Sequence, residues 1–223
     1  MNDRDIDQMK CILDALDKAG LKGTILFDVP STQFVKVNLM LLRGLCMERG
    51  LPGMFISVDR PHQYMVHLLT MHQIKADRLI YIDAISRFSA DCKVAAANVG
   101  FVDGPFHIDR LPEAMSKWGE SSNGRSMSFS DCEFAIIDNL SALLTYNNFN
   151  SVELFLKNFV TAVEVSGKIR VPLIIDSEKY GLLYETAKKM CKGELHINSV
   201  APPLAPGAEP TPKNITSINF CRR

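Results

Sequence analysis

Three observations predict a three-layer α/β fold, with a mainly parallel central sheet and helices on both faces. Short runs at 24–28, 54–58, 79–82, 132–137 and 171–176 are apolar without polar alternation, the pattern of strands buried on both sides. Stretches of helical periodicity alternate with them, which makes neighbouring strands parallel. The 223 residues are 47% hydrophobic and 22% charged, enough apolar surface for one ordinary core without staples.

Taken in order, residues 3–20 place Ile6, Met9, Ile12, Leu13 and Leu16 at helical spacing, with Asp3 as N-cap and Gly20 as stop. This amphipathic lead-in helix covers a sheet edge of its own chain or docks another chain. The first strand, 24–28, feeds the turn Pro30-Ser31-Thr32 and a helix over about 33–49. Gly50-Leu51-Pro52-Gly53 then turns into the second strand, and Asp59, as N-cap, opens a helix over about 61–73. After the third strand the pattern weakens between Ser86 and Arg125, a functional or mobile insertion with a loop at 101–110 and a short helix near 111–118. Phe101 and Phe106 read there as aromatic anchors of a turn. The strand ending at Asp138 leads to a helix over 151–166 with a Ser151 cap, then a strand at 171–176, a helix over 178–191 and a short strand at 195–197. Residues 1–198 make the α/β domain. Residues 199–223 form a Pro-rich linker and C-terminal tail, in which 215–220 adds an edge strand or stays loose.

Composition narrows the function. Lys plus Arg and Asp plus Glu balance at 25 each, so no global field draws in nucleic acid or an acidic membrane surface. No apolar run approaches the roughly 20 residues that span a bilayer. Six cysteines lie scattered without a C-x-x-C pair, and the start has no signal-like segment, which fits reduced thiols in a cytoplasmic protein. His62, His67 and His72 recur every five residues, about 140° apart around a helix, so they do not share a face and no metal site is expected. Nothing in the spacing of Cys92, Cys132 and His107 predicts that they meet. Ser31, Ser57 and Ser141 lie outside any G-x-S-x-G elbow.

The informative stretch is the strand–turn–helix at 24–50. It has the layout of a phosphate-binding loop, G-x-x-x-x-G-K-[ST], in which glycines admit phosphate to the backbone N–H groups, the Lys reaches the terminal phosphates and the hydroxyl holds Mg²⁺. The spacing survives without the chemistry. Along Val29, Pro30, Ser31, Thr32, Gln33, Phe34, Val35 and Lys36, a gapless match puts Val29 and Phe34 at the glycines, Val35 at the lysine and Lys36 at the Ser/Thr.

With ILFDVPSTQFVKVNLMLLRGLCMERG, MFISVDRP, RLIYIDAIS and FAIIDNLSALLTY in place, residues 20–197 resemble the RecA/KaiC-like P-loop ATPase domain, in particular its small single-domain archaeal-type members. The resemblance implies that Asp138 is the Walker B carboxylate and that Asp59 marks the region of the family's catalytic glutamate, both vestigial here. Arg60 stands where many members have a second acid, and a guanidinium cannot serve as a base. Read from the residues alone, Asp138 caps the next turn.

The expectation is a degenerate ATPase fold, without cofactor or metal, that acts as a non-hydrolysing regulatory or protein-binding module in signal transduction. Its partner is another protein, either an active paralogue or a second copy of itself, with no role for nucleic acid or membrane. The alternative is an ATPase that binds ATP and Mg²⁺ through a non-standard loop using Lys36, Asp59 and Asp138. With an apolar pair at Phe34 and Val35, inward collapse of the loop is expected, since burying one such side chain is worth about 1.5–3 kcal/mol.

Overall fold

The structure is a computed structural model and describes residues 3–18, 22–86, 98–106, 108–112, 129–197 and 218–222. Among the described residues eight strands form one sheet: β1 (Gly23–Asp28), β2 (Gly53–Ser57), β3 (Leu79–Asp83), β4 (Val99–Phe101), β5 (Phe134–Ile137), β6 (Arg170–Ile175), β7 (Gly193–Ile197) and β8 (Ile218–Arg222). They lie in the order β4-β3-β2-β5-β6-β1-β7-β8. Every ladder from β4 to β7 is parallel, and only β8 pairs antiparallel, on β7.

Side-chain alternation sorts the strands into two cores. Ile25, Phe27, Phe55, Tyr81, Ile136 and Ile174 face α1 (Asp3–Lys18), α2 (Phe34–Leu42) and α3 (His62–Met71). Leu26, Met54, Ile56, Ile82, Ile137 and Leu173 face the opposite way, towards the helices that follow β5 and β6. The four-residue α4 (Leu143–Tyr146) precedes α5 (Phe149–Ser166), and α6 (Gly181–Met190) follows β6. The stripe Val152, Phe155, Leu156, Phe159, Val160, Val163 buries one side of α5, as its i, i+3, i+4 spacing requires. The predicted three layers are therefore present, and the five predicted strands form the middle of the sheet.

Local details correct several expectations. Helix α5 begins two residues before Ser151 and is capped by Asn148, whose side chain accepts the Ser151 N–H. Asp59 does not cap α3; the His62 N–H instead reaches Asp83 at 2.8 Å across the neighbouring strand end. Residues 99–101, expected to be irregular up to a loop at 101, pair with β3 as β4, and the Phe106 ring, though exposed, lies against Gly104 of its own turn. Helix α2 widens into a π-turn over Arg43–Glu48, where Arg49 N–H bonds the carbonyl of Gly44. A Cβ at Gly44 would stand 2.8 Å from Leu13, so this glycine lets α1 settle against the turn. The lead-in helix covers its own chain, burying Met9, Ile12, Leu13 and Leu16. Of residues 215–220, 218–220 lie in the edge strand β8, while 215–217, Gly20, Cys92, His107, the helix expected after residue 112 and the prolines at 202–212 lie outside the described residues. Among the described residues no helix is long and apolar enough to cross a membrane.

Candidate functional site at the carboxyl ends of the strands

The helices after β1 and β2 lie on one face of the sheet, and those after β5 and β6 lie on the other. Neighbouring strands β1 and β6, and likewise β2 and β5, thus send their chains in opposite directions. Such divergence opens crevices beyond the strand carboxyl ends, the usual place for a ligand in an open α/β sheet. Here both crevices are stitched by the chain's own carboxylates.

At the first crevice, β1 leads through buried Val29 and half-buried Pro30 into a 3₁₀ turn, Ser31–Gln33, and then α2. The loop has no glycine, and the amides of Ser31, Gln33 and Phe34 are spent internally. Ser31 N–H donates to Asp176 Oδ2 at 2.7 Å, Gln33 N–H to the Pro30 carbonyl at 2.8 Å, and Phe34 N–H to the Ser31 carbonyl. Lys179 Nζ donates to the Ser31 hydroxyl. Burial pushes the Asp176 carboxyl up, but the Ser31 and Lys179 hydrogen bonds outweigh it and hold the group below the usual carboxylate range. Asp28, at the end of β1, accepts from Ser177 N–H at 3.1 Å and Ser177 Oγ at 2.8 Å.

At the second crevice, Asp138 ends β5. Its Oδ1 accepts from Val58 N–H at 2.9 Å and from Asn139 N–H at 2.8 Å, and its Oδ2 receives the longer bonds from Asp59 and Arg60 N–H. It caps its own following turn, as the residues alone predict, and also the turn after β2. Burial lifts its pKa to about 7, with help from the charge of Asp59 and against those amides. Asp59 is more open. It accepts from Asn139 Nδ2 at 3.3 Å and lies 3.8 Å from Arg60 Nε, while the Arg60 guanidinium rests 5.1 Å from the centre of the Tyr64 ring.

Between the crevices lies a cavity of ≈ 70 Å³. Of the loop positions singled out from sequence, Ser31, Phe34 and Val35 line it, together with Asp59 and Asp138. Phe34 is 5% exposed and Val35 is half-buried, both packed towards the α1–α3 core as collapse requires. Val29 is in that core, and Thr32 and Gln33 do not reach the cavity. Lys36 leaves the site altogether. One helix position on from Val35, it pairs with Asp5 of α1 at 2.6 Å rather than facing free solvent.

Sequence reasoning missed Asn38, Ser57 and Asp176. Asn38, 2% exposed, donates its Nδ2 to the Asp138 carbonyl at 2.8 Å, which ties α2 to the end of β5. A lone amide in the apolar run 37–42 was the available signal. Asp176 and Asp83 share another: LFD, YID and both IID runs place an aspartate at the strand end. Buried Asp83 binds His62 Nδ1 at 2.6 Å and the Ser86 hydroxyl at 2.6 Å. His67 is exposed and His72 half-buried, so the three histidines do not converge, and no metal-binding group occurs among the described residues. Ser57 and Ser141 are buried hydroxyls without a hydrogen-bond partner among the described residues.

No family model matches the chain, and no curated protein matches its sequence. Solved structures do. The chain is similar to a KaiC-like protein of the hyperthermophilic archaeon Pyrococcus horikoshii, with a TM-score of 0.52 and 12% identity over 80% of this chain and 74% of that one. An uncharacterised protein of the same organism, solved in complex with an unknown peptide, gives 0.55 and 13% over 81% and 79%. The flagellar accessory protein FlaH of Methanocaldococcus jannaschii gives 0.49 and 14% over 79% and 71%. With its seven parallel strands and the helices on both faces, the chain has the RecA/KaiC-like α/β fold.

Proposed function

We propose that this chain is a degenerate RecA/KaiC-like ATPase-fold protein that neither binds nor turns over ATP and works as a regulatory, protein-binding module in the cytoplasm. The observation that carries the reading is the hydrogen bond from Ser31 N–H to Asp176, because the amide a phosphate would need is held by an internal anion. Phosphoryl transfer depends on positioning and charge stabilisation, and the loop has no glycine backbone for it and Val35 at the lysine position. A cavity of ≈ 70 Å³ is also far below the roughly 300–1,000 Å³ of ordinary ligand pockets. The route through Lys36 gains no support, since that ammonium is paired with Asp5.

Melting the full chain with Mg²⁺ and increasing ATP tests the proposal. A ligand present at 100 times its Kd stabilises by about 2.7 kcal/mol. No upward shift at millimolar ATP, together with no phosphate release, is expected. A saturable shift, or Mg²⁺-dependent turnover abolished by Asp138→Asn, overturns the reading. The partner is proposed to be another protein, a paralogue or a second copy of the chain, and crosslinking in source lysate followed by mass spectrometry identifies it.

A further inference from the structure

We propose that the cavity between the two crevices receives a primary ammonium group, an inference that rests on the non-nucleotide reading above. The first reason is an unanswered demand for donors. Asn38 Oδ1 and Ser57 Oγ are buried without a hydrogen-bond partner, and both residues line the cavity. The Asn38 amide cannot be turned round to answer this, because its Nδ2 is fixed by the Asp138 carbonyl and a flip would set two oxygens together. Neither acceptor is open to the cavity as it stands, but a buried acceptor left unmade is costly, so a group that supplies N–H and is reached by a small shift of the lining is favoured there.

The second reason is charge. The charged groups on the lining are Asp59, Arg60 and Asp138, the last only part-charged at neutral pH; Arg60 is occupied by Asp59 and the Tyr64 ring, and the nearby Lys179 ammonium is spent on the Ser31 hydroxyl. An anion would meet these carboxylates and find the Ser31, Gln33 and Phe34 amides already spent. The third reason is the wall. Phe34, Phe55, Tyr64 and Tyr180 surround the space, and aromatic faces attract cations but gain little from a neutral polar group. The volume of ≈ 70 Å³ exceeds what one water needs and suits an ammonium head with the start of an alkyl stem, as on a lysine side chain or a free alkylamine.

Titration calorimetry and amide chemical shifts of the full chain test this with n-butylammonium, 1-butanol, butyrate and Nα-acetyl-lysine methylamide. Saturable binding of n-butylammonium, absent for 1-butanol and butyrate, is expected, with shifts centred on Asn38 and Ser57. Ser57→Ala removes a hydroxyl that has no partner in the folded chain, so it should fold normally yet weaken binding about tenfold. Tighter binding of the lysine derivative than of n-butylammonium assigns the site to a lysine of a protein partner, and equal binding assigns it to free amines. Equal response to 1-butanol, unchanged affinity in Ser57→Ala, or ordered water alone in a crystal grown with n-butylammonium overturns the inference. An ATP titration run alongside separates the two readings. Absent ammonium binding with absent ATP binding removes only this inference, whereas saturable ATP binding removes the reading beneath it.

Discussion

Asp176 and Ser31 are 145 residues apart in sequence and 2.7 Å apart in space, carboxylate oxygen to backbone nitrogen, at the point where β1 hands the chain to α2. The contact holds the loop closed from the next strand. Asp176→Ala leaves that amide without its charged acceptor, a loss of about 1–3 kcal/mol. Urea denaturation of the variant should show a lower midpoint with an unchanged slope, and an unmoved midpoint would remove the contact from the account.

Restoring the missing phosphate-loop residues should harm the fold before it helps a ligand. Phe34 is nearly fully buried, and large-to-small changes at such aromatics cost about 3–5 kcal/mol. Glycine in the first turn of a helix adds up to about 1 kcal/mol. Phe34→Gly with Val35→Lys is expected to lower the melting temperature sharply with no gain in ATP affinity, read by calorimetry on the same sample.

Asp138 gives stability a pH dependence of defined sign. Its folded pKa, about 7, lies above the ordinary 3.8, so its contribution is complete below 3.8 and is lost as pH rises towards and through 7. Asp83 runs the other way. Burial raises it, the His62 and Ser86 hydrogen bonds outweigh burial and bring it to about 2, and its contribution fades only as pH falls from 3.8 through 2. The windows do not overlap, so Asp138→Asn should flatten the fall in stability between pH 4 and 7 and leave the acid limb intact. Urea midpoints across pH 2–8 decide it.

Two aspartates at similar positions should differ in cost. Asp83 is fully buried and holds the His62 ring and N–H together with the Ser86 hydroxyl. Asp59 lies at the surface with longer contacts. Asp83→Ala is expected to cost about 3–5 kcal/mol, as for a broken buried pair, and Asp59→Ala less than about 1 kcal/mol. Equal losses would refute the assignment of Asp83 as the brace of α3.

The sheet was legible because burial on both faces leaves a period-free apolar run, and β1, β2, β3, β5 and β6 all carry one. The three residues of β4 were not, since so short a strand has no pattern of its own and is defined by its pairing with β3. Helix starts misled for a related reason. Asp59 stands where a cap belongs, yet the donor it should meet is taken by Asp83, which only tertiary structure brings near. At the site, the loss of glycine and lysine was visible in the residues, but the partner that takes over the Ser31 amide comes from the end of β6. Asn38 was visible as an oddity in an apolar run, and its purpose depends on the Asp138 carbonyl a hundred residues away.

The antiparallel edge strand β8 pairs with β7, the strand before it in the chain. Ile197 and Ile218 are register partners, so β8 meets β7 across 20 intervening residues of the same chain. The hold of β8 on β7 is thus an intramolecular equilibrium, governed by a local concentration that one peptide bond maintains. Doubling the length of this segment should weaken it by only about 0.6 kcal/mol. A single proteolytic cut would do something different in kind, turning the last strand into a separate peptide whose retention depends on dilution.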